Sequence, residues 1–130
     1  MCADDYFGEN FVQEVFPVIK SNIADVIYTG IRYIDENGKE IGICEHPGYP
    51  LSAGISQRNE ARALLEFDNF CTPSATFFRK KLLGDLNCHV SFHGASDWFS
   101  AIRVALAGGG FYFLSGNQAN YRLHPAQHTR

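Results

Sequence analysis

The chain has 130 residues, enough for one domain with a real core and too few for two of ordinary size. With 45% hydrophobic, 14% aromatic and 19% charged residues it reads as a folded globular chain, which excludes a disordered one. A net charge of -3, with eleven Lys and Arg scattered along the sequence, excludes a basic footprint for nucleic acid.

The first residues, Met1-Cys2-Ala3-Asp4-Asp5, have neither the charged lead nor the apolar run of a signal peptide, and no stretch has the length of a membrane span. Cys2, Cys44, Cys71 and Cys88 are widely spaced without a Cys-x-x-Cys pair, which suits free thiols in a reducing compartment; the chain therefore reads as cytoplasmic. The same spacing argues against a zinc site drawn from Cys44, His46, Cys71 and Cys88.

Phe11, Val12, Val15, Phe16, Val18 and Ile19 form a helical stripe opposite Glu14 and Lys20, predicting a helix from Gly8 to Ser21. Residues 24–33 are rich in β-branched and aromatic side chains, and Asn37-Gly38 is a tight-turn signal, so a strand, a hairpin and a return strand from Ile41 to Cys44 are expected. His46 to Pro50 has loop chemistry, and Ser56 reads as the N-cap of a helix running through Ala61, Leu64 and Leu65 to about Phe67. After an irregular stretch, Ser74 to Phe78 reads as a strand leading into a short helical turn at Lys80 to Leu83. Residues 84–95 lack periodicity and read as a surface loop. A helix from Ser96 is expected to bury Trp98, Ala101, Ile102, Ala105 and Leu106, to face Arg103 outward and to stop at Gly108-Gly109-Gly110. The closing segment, Phe111 to Leu123, reads as two short strands around a turn at Gly116-Asn117.

This order predicts a single α/β domain over 1–130, with a mixed sheet and flanking helices. A complete nucleotide-binding α/β fold would have several strand-helix units ahead of residue 7, and these are not in the chain as read. A sheet edge left bare in this way is expected to pair, giving an oligomer.

Four pieces stand out: Ala3-Asp4-Asp5-Tyr6; Thr72-Pro73-Ser74 leading to Phe78-Arg79-Lys80; Ala95-Ser96-Asp97-Trp98; and Asn120-Tyr121-Arg122-Leu123-His124. Taken singly each has an ordinary explanation: helix capping by Asp4 and Asp5, a turn at 72–74, a Ser-Asp helix start, a surface histidine. Together and in this order they resemble the second half of a family-2 glycosyltransferase of the GT-A fold, over Cys2 to His124.

The resemblance implies a partial GT-A-like fold and metal-assisted, inverting transfer of a sugar from a nucleotide sugar, of the UDP class, to a glycan or lipid-linked acceptor. By the same match, Asp4 and His124 would hold a divalent cation, Mn or Mg, that bridges the donor diphosphate, with Asp5 in support. Cys2 stands where the family's metal motif has its first acid. Ala3, Asp4, Thr72 and Ser74 would line the donor, Asp97 would be the general base, and Ser96 and Trp98 would lie at the acceptor. The alternative is a non-catalytic α+β interaction module built on the same half-fold.

Overall fold

The computed structural model describes residues 4–44, 54–56, 60–67, 69–83 and 95–126. Its elements are β1 (Tyr6–Phe7), α1 (Phe11–Ser21), β2 (Val26–Ile34), β3 (Glu40–Cys44), β4 (Gly54–Ser56), α2 (Glu60–Glu66), a 3-10 turn (Pro73–Ala75), β5 (Thr76–Phe78), α3 (Lys80–Leu83), α4 (Ser96–Leu106) and β6 (Phe111–Arg122). Among the described residues the strands form one mixed, open, six-stranded sheet with helices packed against it, an α/β architecture.

Its centre is the parallel pair β2 and β6. At their first halves β5 lies antiparallel on β2 and β4 antiparallel on β6; at their second halves β3 takes the place beside β2 and β1 the place beside β6. β2 forms because Val26 to Ile34 is a β-branched and aromatic run with both faces covered, as a central parallel strand requires.

Alternation along β2 and β6 divides the core. Val26, Tyr28, Phe111 and Phe113 pack with Ala63 and Leu64 of α2 and Ala101 and Val104 of α4. Ile27, Tyr112 and Leu114, on the other face, pack with Phe11, Val15 and Val18 of α1, where Phe7, Phe11 and Phe77 also contact one another ring to ring. At the start of β2 the Asp25 carboxylate accepts from Arg79 Nε at 2.6 Å, just past β5, and from Gly110 N at 3.0 Å, just before β6. The hairpin after β2 is closed by Asp35 Oδ1, which accepts from Asn37 N and Lys39 N at 2.9 Å each, with Gly38 at φ +82°.

Several sequence expectations are corrected. α1 starts at Phe11 rather than Gly8, because Tyr6 and Phe7 pair with Asn120 and Ala119 as β1. Its six apolar residues span more of the helix than one sheet face can cover, so Val12, Phe16 and Ile19 are exposed. Ser56 is no N-cap: it is the last residue of β4, paired with Phe111, and α2 starts at Glu60. In α4, Ala101 and Val104 are the buried positions, with Trp98, Ile102 and Ala105 partly buried beside them. Leu106 is 74% exposed, because the helix ends there and Gly109 folds back onto Val104.

The closing segment is one strand rather than two around a turn. Both halves of β6 run parallel to β2, and the residues that read as a turn form a bulge instead. From Thr29 to Ile31 β2 advances two residues while its partners on β6 advance five, from Leu114 to Ala119, leaving three extra. Gly116 takes φ +108° there, and its carbonyl accepts from the Thr29 hydroxyl at 2.7 Å. The predicted loop over 84–95 lies almost wholly outside the described residues.

Candidate functional site

The parallel pairing of β2 and β6 puts the ends of both strands on one side of the sheet, and β1, antiparallel to β6, starts there. Asp4, Asp5, Ile34, Arg122 and His124 are therefore neighbours although up to 120 residues apart in the chain.

Arg122 is the organiser. Its backbone N donates to Asp5 Oδ1 at 2.9 Å, its Nε to the Asp4 carbonyl at 3.2 Å, and its Nη1 to the carbonyls of Asp35 and Glu36 at 2.7 and 2.9 Å. The other Asp5 oxygen accepts from the Ser74 hydroxyl. Asp5 is 7% exposed, and these two donors satisfy a carboxylate that burial would otherwise penalise. Asp5 thus anchors the strand start, and neither acid caps α1, whose N-cap position is Asn10.

Leu123 N extends the ladder to the Ile34 carbonyl at 2.9 Å, which carries His124 back towards Asp4. His124 Nε2 lies 3.3 Å from Asp4 Oδ2, with the Asp4 side chain 61% exposed and that of His124 23% exposed. An imidazole nitrogen and a carboxylate oxygen converging near solvent are a donor pair that a divalent cation such as manganese accepts. Among the described residues no three His, Cys, Asp or Glu side chains gather into a complete ligand set. Cys2 and Ala3 lie outside the described residues.

Asp97 lies in the first turn of α4, whose N-cap position falls on Ala95 and makes no side-chain capping bond. The Asp97 carboxylate instead accepts through Oδ2 from Asn69 Nδ2 at 2.8 Å. Ser96 contributes its carbonyl to the Ser100 hydroxyl at 2.6 Å. Trp98 donates from Nε1 to the Leu64 carbonyl at 2.8 Å and packs against the α2–α4 core, which fixes its ring. Cys71 beside them is fully buried; burial first, then the Glu60 and Asp97 carboxylates, push its thiol well above the usual range, so it stays a neutral thiol.

One short segment joins the two centres. Asn69 holds Asp97 and Ser74 holds Asp5, and the five steps from 69 to 74 keep the Cα atoms of Asn69 and Ser74 within about 18 Å of each other. The 3-10 turn shortens this span further: Ala75 N and Thr76 Oγ1 both donate to the Thr72 carbonyl, at 2.9 and 2.8 Å.

The structure thus brings Asp4 to His124, and Ser74 to Asp5. Sequence reasoning missed Asn69, Arg122 as organiser and the anchoring role of Asp5. A cavity of about 710 Å³ lies elsewhere on the β1–β6 edge, lined by Tyr6, Glu14, Arg32, Gln118 and Asn120 among others, and none of the sequence-predicted site residues lines it. A zinc site at Cys44 and Cys71 finds no support: Cys44 packs with Tyr33 and Ile31, away from the cluster that buries Cys71, and His46 and Cys88 lie outside the described residues. No helix among the described residues is long and apolar enough to cross a membrane. Compared with known proteins, the chain matches no protein-family model and no curated protein.

Proposed function

We propose that the chain is the acceptor-side part of a GT-A-like, metal-dependent inverting glycosyltransferase that acts on a nucleotide sugar of the UDP class and a glycan or lipid-linked acceptor. The observation that carries this reading is the meeting of Asp4 and His124 across the sheet end, 3.3 Å apart. Asp97 takes the proton of the acceptor hydroxyl as that oxygen bonds to the anomeric carbon, and the diphosphate leaves from the opposite face with the electron pair of the broken bond. A divalent cation held at Asp4 and His124 supplies neutralisation of the diphosphate's charge. Asp5, Ser74 and Arg122 hold the strand end that presents Asp4, and Thr72 borders the donor, while Ser74, 1% exposed, supports the site from below rather than touching the donor. Ser96 and Trp98 flank the acceptor, and the setting of the reaction is cytoplasmic.

Manganese titration in the presence of UDP tests the reading. Asp4→Ala and His124→Ala are each expected to weaken manganese binding by about tenfold or more. Unchanged affinity in both variants sinks the metal assignment.

A second reading, the non-catalytic interaction module, is favoured by the exposed apolar row Val12, Phe16 and Ile19 on α1 and by exposed Ile41 and Ile43 on β3. Under it, neither manganese nor UDP binds, and pairing through the β3 edge produces an oligomer.

A further inference from the structure

The side-chain amide of Asn69 has two ends that cannot be exchanged. Oδ1 meets the backbone N–H of Cys71 at 3.1 Å, and a backbone N–H only donates, so the atom there is oxygen. The other end is then the NH2 group, and it faces Asp97 Oδ2 at 2.8 Å. Cys71 is itself immobile: it is 1% exposed and belongs to the α2–α4 core cluster. The chain of contacts therefore runs from a rigid core backbone, through one amide, to one chosen oxygen of one carboxylate.

We propose that Asn69 is the positioning residue of the Asp97 carboxylate, fixing its rotation by engaging Oδ2 so that Oδ1 is presented to the acceptor hydroxyl. This rests on the glycosyl-transfer reading for its consequence, though not for the contact itself. Asn69 touches neither reacting atom. It acts by removing the carboxylate's freedom to turn, which matters because proton transfer needs a defined oxygen at hydrogen-bond range of the hydroxyl.

Two variants separate positioning from loop support. Asn69→Ala removes both bonds. Asn69→Asp is nearly isosteric and keeps an oxygen for the Cys71 N–H, yet sets an oxygen against Asp97 where a donor had been. If Asn69 served only to hold the loop, Asn69→Asp would behave as the parent chain. Positioning predicts that both variants lower kcat by about ten- to a hundredfold while KM stays within about twofold, with Asn69→Asp at least as impaired. A parental kcat in Asn69→Asp overturns the proposal.

The contact is also read without turnover, by NMR of the whole chain labelled with nitrogen-15. The Asn69 side-chain NH2 resonances are expected to move in Asp97→Ala and to stay in place in Asp4→Ala. Resonances unmoved in Asp97→Ala overturn the proposal. An Asp97→Asn chain with full transfer activity, alongside moved Asn69 resonances, would instead reject the general-base reading and leave the contact standing.

Discussion

Asp97→Asn is expected to lower kcat for sugar transfer by about 10²- to 10⁴-fold, the range in which a positioned general base acts. The replacement keeps the side chain's size and leaves an oxygen that can still accept from Asn69 Nδ2, so the packing around α4 has no reason to change. Its carboxamide is not a base near neutral pH, and the acceptor hydroxyl then loses its proton only to water. KM for the donor should be nearly unchanged, because Asp4 and His124, which meet on the other side of segment 69–74, are untouched. Steady-state kinetics with a UDP sugar and a matched thermal unfolding scan check both halves. Transfer at the parental rate, with the fold intact, would remove Asp97 from the mechanism.

The second large effect concerns stability. Asp5 is a buried carboxylate whose two donors come from distant parts of the chain, the Ser74 hydroxyl and the Arg122 backbone. Ser74→Ala removes one donor and leaves the acid in place, which should destabilise the fold by about 1–3 kcal/mol, the cost of a buried polar group left without its partner. Asp5→Ala takes the shared acceptor from the Ser74 hydroxyl and Arg122 N together and should cost at least as much. The double variant is the informative one. With the acid already gone, the Ser74→Ala change no longer removes the Ser74–Asp5 bond, so the two effects should fall short of adding by about 1 kcal/mol or more. Urea unfolding of the four chains measures this, and simple additivity would mean that the bond contributes nothing. Damage to Asp5 should also reach the Asp4–His124 pair, since Asp4 is its neighbour and Arg122 bonds to both acids.

Much of the fold was legible because some segments carry their own periodicity. β2 is a run of β-branched and aromatic residues that no helix would favour, Asn37-Gly38 forces a turn, and the apolar spacing after Ser96 admits only a helix. The short pieces were not legible. β1 and β4 have two and three residues, too few for any pattern, and they are strands only because the two ends of β6 offer unpaired backbone. Gly116-Asn117 has turn chemistry, and nothing local reveals that the chain rejoins the same strand after it.

At the candidate site the acids were visible and their supports were not. Asp4, Asp97 and His124 stand out by chemical type. Asn69 lies in an aperiodic stretch, and its value comes from Cys71 and Asp97, one local and one 28 residues away. Arg122 looks in sequence like any exposed cation, while its reach to Asp35 and Glu36 exists only once the hairpin and β6 are in place.

The bulge in β6 has a consequence for the lengths this chain can have. Side chains alternate across a sheet, so three extra residues exchange the two faces: Tyr112 and Leu114 point to the α1 side before the bulge, and Ala119 and Tyr121 continue on that side after it, although one pair is even-numbered and the other odd. Insertion or loss of a single residue between 115 and 118 would turn Asn120 and Arg122 to the face that now holds Ala119 and Tyr121, and move those two off it. A change of two would preserve the parity. The spacing between the core half of β6 and its site half is therefore quantised in steps of two, and a one-residue slip there dismantles the Arg122 network without altering a single side chain.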